Sequence, residues 1–118
     1  MSTKLNRKEL ALEPVSLGID RSVIIDSINL NNSSWQTDKT IEELVNLQNV
    51  LILDKKKQVA NEHVCEAVAN VYVQLAIYAE LYGIPNIQKF INDKLQSIRN
   101  RNRREKKRSR NIGFTITK

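Results

Sequence analysis

The stretch that most constrains the fold is the longest apolar run of the chain, NEHVCEAVANVYVQLAIYAELY at residues 61–82. Apolar residues recur in it at steps of three and four, the spacing that lines one face of a helix: Val64, Val68, Val71, Leu75, Tyr78 and Tyr82. Much of the remaining surface is apolar too, so the helix needs neighbours on more than one side. Asn61 has the chemistry of an N-cap, and Gly83 followed by Pro85 predicts the stop. The pattern therefore predicts a buried central helix.

The size and composition of the chain predict one small domain. With 118 residues, of which 41% are hydrophobic, the chain can build a single modest core. Gln74 and Glu80 interrupt the apolar run, so we do not expect it to cross a bilayer. The opening MSTKLNRKEL has no apolar core of the kind a secretory signal needs. These features predict a cytoplasmic protein without a membrane partner.

Cysteine and histidine are too scarce for disulfide or zinc chemistry within one chain. The only cysteine is Cys65 and the only histidine is His63, whereas a disulfide needs two cysteines and a zinc site needs three or four ligands. Because Cys65 lies in the apolar run, we expect it to be a small core residue.

Positive charge is concentrated near the end of the sequence. The segment RNRNRREKKRSR at residues 99–110 carries +7, and because the whole chain carries +6, the rest carries −1. Its cationic residues are Arg99, Arg101, Arg103, Arg104, Lys106, Lys107, Arg108 and Arg110. Such a cluster is typical of contact with nucleic-acid phosphates or with an acidic protein, although no aromatic residue is interleaved for base stacking. The alternative is a solvated helix end that keeps the protein soluble.

Four amphipathic segments predict an all-α bundle. The helices are expected near residues 20–30, 38–54, 61–82 and 86–104. Asp20 is the predicted cap of the first helix, and Thr40 with Glu43 has the spacing of a capping box in the second. The residues predicted to face the core on the other three helices are Val23, Ile24 and Ile28, then Ile41, Leu44, Val45, Leu51 and Ile52, then Ile87, Phe90, Ile91, Leu95 and Ile98.

The same pattern divides the chain into three parts. We expect a flexible arm at residues 1–18, a helical body at 19–98 and a basic tail at 99–118. The last seven residues, IGFTITK, alternate like a strand but are too short to stand alone.

Three stretches of the sequence, TIEELVNLQNVL, EHVCEAVANVYVQLAIYAELYGI and INDKLQSIRNR, carry a family resemblance. Together they resemble the short all-α MazG-like nucleoside triphosphate pyrophosphohydrolases common in phages and bacteria, over about residues 35–101. The resemblance implies a four-helix bundle assembled as a dimer or tetramer. In that family a Glu-x-x-Glu pair and a Glu-x-x-Asp pair on neighbouring helices hold magnesium ions against the phosphates of a nucleotide.

Most of the ligand positions that the resemblance implies are not acidic in this chain. The first pair matches Glu43 and Asn46, with Glu42 at the extra glutamate that often precedes it in the family, and the second pair matches Ala67 and Asn70. Lys94 matches a lysine that faces the phosphates in the family. Of the four ligand positions only Glu43 is acidic, whereas magnesium prefers hard anionic oxygens. One carboxylate is not expected both to neutralise a triphosphate and to activate water. Alternatively, Glu42 and Glu43 are helix-start acids that complement the helix dipole.

Three hypotheses about function follow from these features. The first is a catalytically degenerate MazG-like protein that binds a protein partner or a nucleotide, with no magnesium cofactor. The second is an active, magnesium-dependent nucleoside triphosphate pyrophosphohydrolase with an altered metal site. The third is a nucleic-acid-binding protein that uses the basic tail. The loss of acidic ligands favours the first, and a central helix apolar on several faces predicts a homo-oligomer in each case.

Overall fold

The chain forms four α-helices within residues 17–112, the part that the computed structural model describes. The helices are α1 (Arg21–Leu30), α2 (Ser33–Lys55), α3 (Asn61–Tyr82) and α4 (Ile84–Ile112). No strand occurs between residues 17 and 112, so the predicted all-α class is confirmed. Residues 1–16 of the predicted arm and residues 113–118 of the strand-like peptide lie outside the described residues.

Side-chain caps set the first two helix starts. Asp20 Oδ1 accepts a hydrogen bond of 3.0 Å from the backbone N–H of Ser22, which confirms the predicted cap of α1. Asn32 Oδ1 accepts one of 2.7 Å from Trp35 N–H and caps α2. The predicted start of this helix near residue 38 is therefore wrong, and so is its capping box, because Thr40 is buried inside the helix.

The end of α3 and the start of α4 are set by a glycine and a proline that are close together in the sequence. α3 spans the predicted 61–82, although its cap position is Ala60, which makes no side-chain cap bond. Gly83 ends it with φ +99°, a conformation that glycine adopts without strain. α4 then begins at once, with Pro85 in its first turn, where the missing N–H leaves no intrahelical bond unmade. The predicted stop is confirmed.

The central helix α3 packs against the other three helices. It lies antiparallel to α2, because Gln36 near the start of α2 contacts Gln74, and Thr37 contacts Tyr78, both near the end of α3. The buried apolar side chains of the described residues are Ile24, Ala67, Val71 and Ile77, and the buried polar ones are Gln36, Thr40 and Gln74. The core is thus small and includes a polar cluster.

The apolar stripe predicted to line the core on α2 points to solvent instead. Its residues Ile41, Leu44, Val45, Leu51 and Ile52 are all exposed. The row that is buried or half-buried is Gln36, Thr40, Glu43, Leu47 and Val50, at steps of four and three. The helix has two rows of residues with helical spacing, and the row that begins with Gln36 and Thr40 is the one that meets α3. Gln74 of α3 accepts from Gln36 and contacts the hydroxyl of Thr40.

Further core predictions on α3 need correction. Val71 is buried as predicted, but Val68, Leu75 and Tyr82 are exposed in the single chain, Leu75 by 52%. Cys65 is also exposed rather than a core residue. These side chains are exposed because α2 and α1 cover only one side of α3.

On α1 the predicted core face is correct only in part. Ile24 is buried and Ile28 is half-buried, as predicted. Val23 is exposed, because adjacent residues of a helix point about 100° apart.

Only the first turn of α4 packs against the body. Ile87 is half-buried, and every residue from 88 to 110 is exposed, including the predicted core residues Phe90, Ile91, Leu95 and Ile98. The predicted end near residue 104 is also too early, because the helix continues to Ile112. The boundary proposed between body and tail at residue 98 therefore falls inside one continuous helix.

Within residues 17–112, α3 is the one helix whose length and mean hydropathy of 1.2 would suffice for a bilayer span by composition alone. Core helices of soluble proteins meet the same criteria. Here Gln74 and Glu80 of α3 bond to side chains of α2 and α1. The helix thus uses these two polar side chains in contacts with its neighbouring helices.

Candidate functional site

The two glutamates of the candidate metal site share one lysine. Lys39 Nζ lies 3.0 Å from Glu42 Oε1 and 3.2 Å from Glu43 Oε2. The hydrogen bond to Glu42 and then that to Glu43 raise the pKa of Lys39, so its ammonium stays charged. Lys39 therefore pairs with two carboxylates of its own helix, three and four residues further along the chain. Its single positive charge offsets only one of their two negative charges.

The structure brings together only part of the predicted ligand set. The side chain of Glu43 is 15% exposed, and Asn70 is half-buried on α3, so both lie on rows that turn toward the α2–α3 contact. The side chain of Glu42 is 67% exposed, and Asn46 is exposed on the solvent side of α2. The fourth ligand position is Ala67, which is buried and has no donor atom.

These residues do not fit a magnesium ion. Within residues 17–112 no group of three His, Cys, Asp or Glu side chains is positioned to hold a metal. The one half-buried carboxylate, Glu43, is already paired with Lys39, whereas magnesium in nucleotide sites is held by carboxylates that are free to coordinate it. Lys94 is exposed on α4 and contacts neither glutamate. The arrangement therefore does not contain the set of acidic ligands that the family resemblance implies.

The eight cationic residues at 99–110 form the basic surface of α4. All of them are exposed on one continuous helix. The single acid of the segment, Glu105, lies 3.5 Å from Arg108. Arg99 donates a hydrogen bond of 3.2 Å to Gln96 on the same helix. Among the described residues, none of the cations other than Arg108 forms an ion pair. The segment therefore keeps most of its positive charge available to a partner.

An apolar groove of about 640 Å³ opens between α1, α3 and α4. Its walls include Ile24, Tyr72, Leu75, Ile84, Ile87 and Ile91. Its one cation is Arg21, whose Nε and Nη2 donate to Glu80 at 2.9 Å and 2.6 Å. Because this ion pair satisfies both charges, the groove suits an apolar side chain and not a phosphate.

Sequence reasoning missed the polar cluster that joins α2 to α3. Gln36 Nε2 donates to Gln74 Oε1 at 2.6 Å, and Thr40 Oγ1 lies 3.0 Å from the same oxygen. Gln36 and Thr40 are four residues apart and so share a helix face, but their partner is 38 residues away along the chain from Gln36. The spacing of Gln36 and Thr40 shows that they share a helix face, but no local feature of the sequence identifies the helix against which that face packs.

No protein-family model, characterised protein or solved structure matches this chain. The resemblance to MazG-like pyrophosphohydrolases therefore remains a prediction.

Proposed function

We propose that this chain is a non-enzymatic binding protein that contacts the phosphate backbone of nucleic acids through the basic surface of α4. The supporting observation is that this charge lies on an exposed helix. Glu105 is the only acid paired with it among the described residues. Releasing the counterions of several phosphates provides most of the affinity in contacts of this kind.

The dimensions of the segment support a duplex as the ligand. An α-helix with its side chains is about 10–12 Å wide, and the major groove of B-form DNA is about 12 Å wide. Lys and Arg follow one another around the helix, so cations can reach phosphates on both sides of such a groove. The segment has no aromatic residue to stack on bases. We therefore expect backbone contacts with little sequence preference.

The nucleotide-based hypotheses have less support. Hydrolysis would need several acidic ligands that are free to bind a metal. In this chain Glu43 is paired with Lys39, and Ala67 has no donor atom. A degenerate MazG-like ancestor is compatible with the proposal, since a family fold can retain its surface after losing its site. A cytoplasmic location is part of the proposal, because nucleic acids are accessible there.

The test is the salt dependence of duplex binding by the full chain, measured by fluorescence anisotropy. Neutralising about five phosphates gives a log–log slope of roughly −4. The triple variant Arg103→Gln, Arg104→Gln, Lys107→Gln should reduce that slope by about 2–3, since each lost phosphate contact removes about 0.9. These side chains are exposed, so circular dichroism should show unchanged helix content.

A matched control is available at the end of α2. Lys55→Gln, Lys56→Gln and Lys57→Gln remove the same charge from another exposed run. This control should bind duplex DNA with nearly the wild-type slope. Equal losses in the two triple variants would show that net charge alone drives binding, and absence of duplex binding by the intact protein at physiological salt would overturn the proposal.

A further inference from the structure

A second exposed surface of α4, here called the α4 stripe, consists of Ile84, Ile87, Phe90, Ile91, Leu95 and Ile98. Four of these side chains are exposed by nearly half or more: Phe90 by 63%, Leu95 by 53%, Ile98 by 45% and Ile91 by 44%. The stripe is continuous with the apolar groove, because Ile84, Ile87 and Ile91 line both. Apolar residues at this density on one face are typical of a binding surface.

The stripe has the spacing of a coiled-coil seam. Its inner row runs Ile91, Leu95, Ile98, Asn102, Glu105 and Ser109, at alternating steps of four and three. None of the eight cations of the basic surface lies on this row. A helix can therefore lie along the whole seam without meeting a lysine or arginine head-on, and all the positive charge remains at the flanks and on the outer face.

We infer that a second copy of this chain covers the α4 stripe, the two α4 helices packing antiparallel with Ile91 near the two-fold axis. Lys94, Arg99 and Arg101 flank the seam, so a parallel pair would bring like charges together along its length. The antiparallel pair instead directs the basic segments away from each other. It also places the far end of each stripe over the groove of the other copy, which is the reciprocal arrangement of a two-fold interface.

The exposed apolar area is what a stable dimer needs. Besides Phe90, Ile91, Leu95 and Ile98, it includes Tyr72 at 37%, Leu75 at 52% and Ile84 at 44% exposure. Taking about 200 Å² for a fully exposed large apolar side chain, these fractions amount to roughly 700 Å² per copy. A standard specific interface buries about 800 Å² per partner, so this surface and its polar rim suffice for two copies.

The test is sedimentation equilibrium of the full chain without nucleic acid, so its outcome is independent of the proposed function. The wild type should be a dimer at micromolar concentration. Leu95→Asp should weaken association more than about 100-fold, because it buries two unpaired carboxylates in the interface. Gln96→Asp, one residue along and off the seam, should remain a dimer. Both positions are exposed in the single chain, so helix content should not change.

Cysteine cross-linking in a Cys65→Ser background tests the orientation. Ile91→Cys should form a disulfide-linked dimer, whereas Leu95→Cys should not. In the antiparallel pair the two copies of residue 95 are separated by about 12 Å along the axis, beyond the roughly 7 Å limit between Cα atoms for a disulfide. Efficient cross-linking at both positions would overturn the antiparallel arrangement.

Two results would overturn the inference itself: a monomeric wild type, or a dimer that persists in Leu95→Asp. If the wild type is monomeric and sediments with anionic lipid vesicles, the stripe is assigned to a membrane surface instead.

Discussion

Replacing Gln74 by leucine tests whether the polar cluster between α2 and α3 holds the body together. Gln74 Oε1 accepts the 2.6 Å hydrogen bond from Gln36 Nε2 and lies 3.0 Å from Thr40 Oγ1. In Gln74→Leu, Thr40 keeps an acceptor, because its hydroxyl also lies 2.9 Å from the backbone oxygen of Gln36. The buried amide of Gln36 keeps its 3.1 Å hydrogen bond to Thr40 Oγ1, but the N–H group that donates to Gln74 loses its acceptor. The variant thus leaves one buried donor unpaired.

The expected cost follows from that single unpaired donor. A buried polar group without a partner lowers stability by about 1–3 kcal/mol. Removing both partners in Gln36→Leu, Gln74→Leu leaves no unpaired amide, so this double variant should lie within about 1 kcal/mol of the wild type. The non-additivity, about 1–2 kcal/mol, measures the coupling between the two side chains.

Urea unfolding followed by circular dichroism gives these free energies, provided the slope with denaturant does not change. All variants should be compared at one protein concentration, because dimerisation shifts apparent stability. Thr37→Val, which removes the exposed contact of Thr37 with Tyr78, is the control and should change stability by less than about 0.5 kcal/mol. A Gln74→Leu midpoint equal to that of the wild type, or additive effects in the double variant, would refute the reasoning.

Three other changes test separate parts of the structure. Gly83→Ala should lower the free energy of unfolding by about 1–3 kcal/mol in a thermal or urea melt, because φ is +99° and a Cβ would lie 2.8 Å from the Asn86 amide. The control Gly18→Ala should leave stability unchanged, because a Cβ there would have no atom within 4 Å. The hydrogen bond from Arg21 lowers the pKa of Glu80 below its ordinary value of 4.5. The ion pair should therefore stabilise the fold above pH 4.5 and lose its effect as the pH falls through the lowered pKa of Glu80. Urea midpoints measured across this pH range should show the dependence in the wild type and not in Glu80→Gln. With magnesium or manganese the protein should release no pyrophosphate from nucleoside triphosphates above background, and turnover abolished by Glu43→Gln would contradict this.

The helices that could be predicted from the sequence are those whose ends are set by nearby capping residues or by glycine and proline. α3 matches its predicted bounds because the residues that end it, Gly83 and Pro85, directly follow its apolar run in the sequence. The start of α2 was misplaced for two reasons. Its cap, Asn32, is a local signal, but it lies in a stretch that was interpreted as a polar break. The polar residues of the first two turns are held by a contact with Gln74 on another helix, and a short window of sequence does not contain that information.

Which apolar face a helix buries was equally hard to predict. Periodicity identifies a stripe but not its partner, and the prediction assigned the stripes of α2 and α4 to the chain's own core. In the structure Ile41, Leu44 and Leu95 are exposed. The candidate metal residues Glu42 and Glu43 do lie on one helix, but they are not helix-start acids, because α2 begins at Ser33 and has no acidic residue in its first turn. Their shared ion pair with Lys39 was not foreseen. Such a pair within one helix is weak, so the poor fit to magnesium comes mainly from the ligand positions that are not acidic.

The two proposals for α4 together predict a dependence on duplex length. In the antiparallel pair the middle of each basic surface, near Glu105, lies 14 residues from the axis at Ile91. At about 1.5 Å per residue the two surfaces are centred roughly 42 Å apart, which is about 12 base pairs of duplex at 3.4 Å each. A duplex of about 10 base pairs can engage one surface, whereas one of about 24 can engage both and gain avidity of about 100-fold or more. Anisotropy titrations should show this preference for the wild type and not for Leu95→Asp, which keeps every cation; an equal length preference in both proteins would mean that each basic surface acts alone.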